Sequence, residues 1–367
     1  RYPNATLPEG YKQMKSLPAV VVANIHRRFT GVSATVASLV PEQQKQLDIA
    51  VIDTGELQLT GKISLLSLIW GGFTRPPLGQ RRVFHARRDI EMILGLLLKY
   101  VFRQKWCLLF TAASRKSPGR MLAWLISQMD AVIATSERSK AFLELPCTII
   151  PHGIDTIKFK PGLRARQTNI NQFGSPYLIG SFGRVRYSKG ADLFVHALLE
   201  VLPRYPDFAA YWAGLVKPAD EPFLANLKRH IDAKDLAHRL TFMGHVDPDQ
   251  VVGLYQRSHL VIAPSRSEGF GLTPLEAMAC GVGVITSDEG IWPHLIDSGE
   301  QGEIFTSGNL KQLVACLDGL LANLTALESA GIKGRQTILA NYTLTQEAES
   351  VCELYRALMC TNATRLE

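Results

Sequence analysis

Short, almost uninterrupted apolar runs recur along this chain, at 19–23, 49–52, 82–85, 107–111, 131–134 and 147–150. Between them lie stretches with helical spacing of apolar residues. A strand that is apolar at every position is covered on both faces, which predicts a parallel sheet with helices on either side. The pattern restarts at 177–182 and continues at 209–213, 240–243, 260–263 and 283–286. The intervening stretch 158–175 is polar and rich in Gly, Pro, Asn and Gln, as a linker would be. A chain of 367 residues is also too long for one ordinary core. The expectation is α/β: two doubly wound, Rossmann-like domains facing each other across a cleft.

Two segments of the first half are unusually apolar. Residues 89–106 read as one amphipathic helix with a basic end, too short and too charged to span a bilayer. Residues 64–73 (SLLSLIWGGF) form a second apolar patch. Either is a core helix or a contact with a membrane surface, with Lys99, Arg103 and Lys105 meeting anionic lipid.

Composition narrows the class. With 46% hydrophobic and 20% charged residues the chain is neither disordered nor a coiled coil. Six scattered cysteines without a Cys-x-x-Cys pair read as free thiols in a reducing compartment. The polar first residues, 1–16, lack the apolar core of a signal peptide. Charge is unevenly placed: residues 1–165 hold 23 Lys and Arg against 11 Asp and Glu, and the remainder 17 against 22. The first half is therefore expected to meet something anionic, a membrane surface or an acidic acceptor. Nucleic acid is not expected, because the basic residues belong to no recognised binding module.

The richest local chemistry lies just after the run at 260–263. Glu268 and Glu276 stand eight residues apart, with Gly269-Phe270-Gly271-Leu272-Thr273 between them. Glycines free backbone N–H groups to turn outward, and a following helix adds its positive end, which suits phosphate. The carboxylates suit hydroxyl groups, so the loop reads as a nucleotide-sugar site. Glu276 is equally explained as the end of a capping box begun at Thr273. A second constellation, Gly183-Arg184 through Lys189-Gly190, follows the strand that opens the second domain. It matches neither Gly-x-Gly-x-x-Gly nor a P-loop; Arg184 and Lys189 could reach a diphosphate together, or form a solvated basic turn. Gly31 and Val32 follow the first strand, where glycine allows either close approach of a phosphate or a tight turn. His85, Arg87 and Arg88 close a strand of the first domain, at the sheet edge where α/β proteins hold ligands. Asp247-Pro248-Asp249 is either a metal-binding Asp-x-Asp or a helix start, the latter favoured by Pro248.

Taken together, these residues resemble the family 4 retaining glycosyltransferases of GT-B fold. The likeness rests on the loop at Gly31, on Pro151-His152-Gly153-Ile154-Asp155 with Phe159 and Pro161, and on Gly183-Arg184 with Lys189-Gly190. Phe242-Met243-Gly244-His245-Val246 and Glu268-x7-Glu276 complete it. Val83-Phe84-His85-Ala86-Arg87-Arg88 and Phe110-Thr111-Ala112-Ala113-Ser114 are similar to bacterial lipopolysaccharide-core mannosyltransferases, which use GDP-mannose and add to a Kdo residue next to lipid A. The resemblance implies an acceptor-binding domain at 1–165, a nucleotide-sugar domain at 166–343, and a last helix at 344–367 crossing back to the first. It also implies roles. Arg184, Lys189 and Glu268 serve catalysis. Gly31, Val32, Gly183, His245, Val246, Gly269, Phe270, Gly271, Leu272, Thr273 and Glu276 hold the donor, with Glu276 on the ribose. His85, Arg87, Arg88 and Ser114 face the acceptor. Neither a metal nor another cofactor is expected. The implied protein is cytoplasmic and peripheral on the bacterial inner membrane, taking a nucleotide-sugar and an anionic glycolipid. The alternatives are a UDP-sugar transferase for another surface polysaccharide and a GT-B sugar-nucleotide epimerase.

Overall fold

The computed structural model describes residues 17–27, 30–55, 57–76, 81–113, 117–162 and 175–360. Strands and helices alternate: β1 (Val20–Asn24), α1 (Gly31–Gln44), β2 (Ile49–Asp53), α2 (Leu65–Gly71), β3 (Arg82–Ala86), α3 (Asp89–Leu96), β4 (Trp106–Ala112), α4 (Arg120–Ser127), β5 (Ala131–Ala134), α5 (Glu137–Leu143) and β6 (Thr148–Ile149). The alternation resumes with β7 (Tyr177–Phe182), α6 (Ala191–Val201), β8 (Phe208–Ala213), α7 (Glu221–Asp232), β9 (Leu240–Gly244), α8 (Pro248–Arg257), β10 (Leu260–Ala263), α9 (Leu272–Ala279), β11 (Gly283–Ser287), α10 (Trp292–Leu295) and β12 (Glu303–Phe305). Three helices follow: α11 (Leu310–Leu321), α12 (Leu324–Asn341) and α13 (Leu344–Cys360).

Two six-stranded sheets result, ordered β2-β1-β3-β4-β5-β6 and β12-β11-β10-β7-β8-β9. In the second, every neighbouring pair is parallel. The runs of β1 and β8 are buried along their whole length, which is why no alternation marks them, whereas the edge strands β6 and β9 are partly exposed. Packing divides the chain into one unit of residues 1–112, 119–133 and 348–367, and another of 113–118 and 134–347. Ala348, Val351, Cys352, Tyr355 and Leu358 of α13 are buried, so the last helix completes the core of the first unit.

One local reading is corrected, one strand goes unmarked by the sequence, and the helix start favoured at Asp247-Pro248 is found. Residues 89–106 are not one helix: α3 gives way to a π-helical turn at Leu97–Val101, and Trp106 already begins β4. Strand β12 has too few apolar residues, Ile304 and Phe305, to stand out in the sequence. Asp247 is a helix cap, its Oδ1 accepting from the Asp249 N–H at 2.9 Å, and Pro248 opens α8. Most of the expected linker, and Phe29 and Ser114, lie outside the described residues.

Candidate active site

In the second sheet the strand order reverses between β7 and β10. Loops leaving the carboxyl ends of two such strands diverge and open a crevice between them. The loop after β7 carries Gly183, Arg184 and Lys189, and the loop after β10 carries Glu268 to Gly271. Residues 79 apart in the chain thereby meet: Lys189 Nζ forms an ion pair with Glu268 Oε2. Glu268 Oε1 also accepts the Gly269 N–H at 3.2 Å. Arg184, half-buried on the same loop as Lys189, has no hydrogen-bond or ion-pair partner among the described residues.

The closeness of these loops depends on Gly190, which has φ +73°. A Cβ there would lie 1.9 Å from the Pro264 carbonyl oxygen, so any side chain would force the loops apart. Arg266 ties them further. Its N–H donates to Ser188 O at 3.0 Å, and its guanidinium binds both Asp192 oxygens at 2.7 Å while lying 3.9 Å from the Tyr187 ring. A small cavity lined by Ser181, Trp212 and Trp292 opens against Lys189 and Glu268. Ser181 Oγ is buried there without a partner among the described residues.

Helix α9 starts at Leu272 with Gly271 as its cap, so the capping box expected of Thr273 and Glu276 does not form. Glu276 Oε2 instead accepts the Tyr255 hydroxyl at 2.7 Å. Tyr255 in turn stacks on Phe182, ring centroids 4.0 Å apart. Burial raises the Glu276 carboxyl above its ordinary pKa. Burial, and then the adjacent Glu276 charge, push the Tyr255 phenol well above its own. The Gly271 carbonyl is held by the Trp292 indole N–H at 3.0 Å. Phe270 is buried, its ring edge-on to His152 at 4.9 Å. Exposed His245 and half-buried Val246 follow β9, on the far side of β8 from Lys189.

The first sheet reverses between β1 and β3. The loop after β1 ends at Thr30, whose hydroxyl caps α1 by accepting the Ser33 N–H, with Gly31 and Val32 in the first turn. A Cβ on Gly31 would meet nothing within 4 Å, so packing does not demand glycine there. After β3 comes a network centred on Glu91, which is fully buried. Its carboxylate accepts the N–H groups of Ile25 (2.9 Å), Arg87 (2.7 Å) and Arg88 (3.0 Å), and Arg88 Nη1 (2.9 Å). Arg88 also donates to Asn24, Thr30 and Ser33. Its charge is thus matched by Glu91, and it clamps the β1 loop to α3. Arg87 is 8% exposed; it donates through Nη1 to Thr35 Oγ1 at 3.2 Å, while its buried Nε has no partner among the described residues. His85 is fully buried between Tyr355 Oη (2.6 Å) and Thr111 Oγ1 (2.7 Å). Burial, aided by the Arg87 charge, holds its pKa well below the ordinary value, so it is a neutral core histidine with both nitrogens engaged. The anion-facing place expected of His85 is not where the structure puts it.

The sequence reading passed over Tyr255, Glu91, Arg266 and Ser181. Glu91, three residues after Arg88 at a helix start, carried a visible signal. The others lie on ordinary helix, loop and strand positions with none.

Residues 164–337 match the glycosyl transferases group 1 family. The lipopolysaccharide core biosynthesis mannosyltransferase LpcC of Rhizobium leguminosarum bv. viciae is 39% identical over 94% of this chain and 97% of its own length. The corresponding enzyme LpsB of Rhizobium meliloti is 36% identical over 93% and 97%. Among solved structures, Anabaena Alr3699/HepE in complex with UDP is similar with a TM-score of 0.77 at 16% identity, over 92% of this chain and 99% of that one. Sucrose-phosphate synthase from Thermosynechococcus elongatus has a TM-score of 0.72 at 19% identity, over 92% and 98%. The two parallel sheets, the cationic loop facing a glutamate at the reversal point, and kinship along nearly the whole sequence agree: the chain belongs to the group 1 glycosyltransferases of GT-B fold.

Proposed function

We propose that the enzyme transfers mannose from GDP-mannose, with retention of anomeric configuration, to an anionic glycolipid acceptor, the Kdo–lipid A inner core of lipopolysaccharide. The observation that carries this reading is the meeting of Lys189 with Glu268 at the β7–β10 reversal point, on a loop that also carries Arg184, unpartnered among the described residues. Similarity to two core mannosyltransferases supports the sugar and the acceptor. In this reading the bond from sugar C1 to the diphosphate oxygen breaks and a bond from C1 to the acceptor hydroxyl oxygen forms. The acceptor proton passes to the departing phosphate. Negative charge grows on that phosphate in the transition state, and Lys189, Arg184 and the N–H groups at the start of α9 stabilise it there more than in the ground state. No resident metal enters this scheme. A donor sugar bound beside Glu268 would take over the hydrogen bonds that Lys189 now makes to it. The Glu276 carboxylate accepts ribose hydroxyls, with Tyr255 fixing its orientation. Arg87, which retains hydrogen-bonding capacity, faces the acceptor anion in preference to Arg88 and His85.

Thermal-shift measurements with GDP, UDP and ADP, followed by transfer assays with the matching mannose donors and a Kdo-bearing acceptor, test the reading. Stabilisation by GDP and a product heavier by one hexose are expected, with turnover unchanged by EDTA. Isomerised donor without acceptor would mean an epimerase, and a response to UDP alone would refute the donor.

A further inference from the structure

Among the described residues, seventeen large apolar side chains are exposed, and twelve of them fall between Leu65 and Trp124. Such a concentration is far from the scattered single exposures of an ordinary surface. They come from α2, from α3 with its π-helical turn, and from α4, and they join up. Trp70 contacts Phe73 at 6.5 Å between centroids, and Phe73 meets Phe102 edge-on at 6.4 Å. An apolar groove then links Leu97 and Val101 to Trp124.

The outward pose of these residues is built, not loose. Buried Gln104 donates to Ile69 O at 2.8 Å and accepts the Trp106 indole N–H at 2.7 Å, holding α2 from below. Buried Arg82 binds Thr74 O, Thr74 Oγ1 and Arg75 O just after α2. With its inner side so fastened, α2 presents Leu65, Leu66 and Trp70 to solvent. The π turn, closed by Phe102 N–H to Leu97 O at 3.0 Å, adds one residue to the helix and leaves Tyr100 and Val101 exposed.

Charge decides the occupant. The exposed cations Arg75, Arg103, Lys105 and Arg120 sit within three residues of Phe73, Phe102 and Met121. Asp130 is taken up by Lys99 at 2.6 Å, which leaves Asp89, just before Ile90, as the exposed carboxylate of this stretch against those four cations. Aromatic and aliphatic side chains rimmed by arginine and lysine match an anionic bilayer interface, where rings settle at headgroup depth and cations meet phosphate. No single described helix is long and apolar enough to cross a membrane. We propose that this face of the first unit lies in the surface of an anionic membrane. The inference rests on the glycolipid acceptor proposed above, and it names the surface by which the enzyme reaches such a substrate.

Co-sedimentation of the full chain with phosphatidylglycerol–phosphatidylcholine vesicles tests it. The protein should pellet with anionic vesicles, bind pure phosphatidylcholine vesicles at least about tenfold more weakly, and lose binding as salt is raised. L66S/W70S/W124S and, separately, R103E/R120E should each weaken binding about tenfold or more, with unchanged thermal unfolding. The same variants should mannosylate a water-soluble, deacylated acceptor as well as the parent does. Parent protein that ignores anionic vesicles, or an apolar triple variant that pellets like the parent, overturns the proposal. A parent dimer that the triple variant splits, with vesicle binding intact, assigns the face to a second copy and equally overturns it. Lost vesicle binding with intact transfer to the soluble acceptor supports the face. Intact binding without any transfer leaves the face standing and refutes the function proposed above.

Discussion

Lys189 and Glu268 form an ion pair in which each is mostly shielded from water, and the proposed chemistry separates their roles. Lys189→Ala should lower kcat by about 10²–10³-fold, the usual scale for losing one transition-state electrostatic contact, while circular dichroism and melting remain close to the parent's. Near-normal turnover would remove Lys189 from the leaving-group role. His85 makes the opposite kind of prediction. Its folded-state pKa lies below its unfolded value of about 6.5, so the unfolded chain binds the extra proton first. Stability is therefore complete above about pH 6.5 and falls as the pH drops below it. Denaturant titrations from pH 7.5 to 5 should show that fall, and His85→Gln should flatten it. Neither outcome is visible from the motif Phe84-His85-Ala86-Arg87-Arg88, which looks like a patch of exposed cations. Burial turned its histidine inward and gave Arg88 to Glu91.

At the scale of elements, the site depends on how closely two loops and two helices approach. Gly190→Ala would place a methyl group against Pro264 O and force a residue with φ +73° into a strained region. A loss of about 1–3 kcal/mol in unfolding free energy is expected, together with lower kcat because the Lys189 loop must withdraw from Glu268. Helices α8 and α9 meet through Tyr255 and Glu276. Glu276→Gln should weaken nucleotide binding by about 1.5–3 kcal/mol, read by calorimetry as roughly a ten- to hundredfold rise in Kd. The raised Glu276 pKa means that the folded protein without ligand holds this proton more tightly than the unfolded chain. Its stability should fall as pH rises from the ordinary carboxylate range through the raised value, and Glu276→Gln should remove that slope. Strands were legible almost residue by residue, because burial on both faces leaves continuous apolar runs. The 89–106 segment was not, since nothing in an apolar stretch marks where a helix turns π-helical and a strand begins.

The whole molecule closes its first unit with its last helix. Tyr355 is fully buried and bonds His85, 270 residues away. Tyr355→Ala should cost about 3–5 kcal/mol, as large-to-small changes in a packed core do, measurable as a lower urea midpoint. Deleting residues from Ala348 onward should leave the first unit unable to fold cooperatively, because six buried apolar positions among the described residues vanish together.

What the amino-acid sequence determined alone is local: where strands run, that both sheets are parallel, and that cations and carboxylates lie at their carboxyl ends. Strand pattern and loop position are encoded within a few neighbouring residues, so they can be read there. The tertiary structure decided which of those charged groups face one another and which are used up inside. Lys189 met Glu268 only because the sheet order reverses between β7 and β10. Glu276 received Tyr255, and Arg88 received Glu91, because a buried polar group is costly unless it is paired, and most find a partner from whatever element packs against them. Such pairings have no period along the chain. The apolar face on α2, α3 and α4 follows the same logic: a helix reads as amphipathic from its sequence, but only packing shows that its apolar side chains point outward.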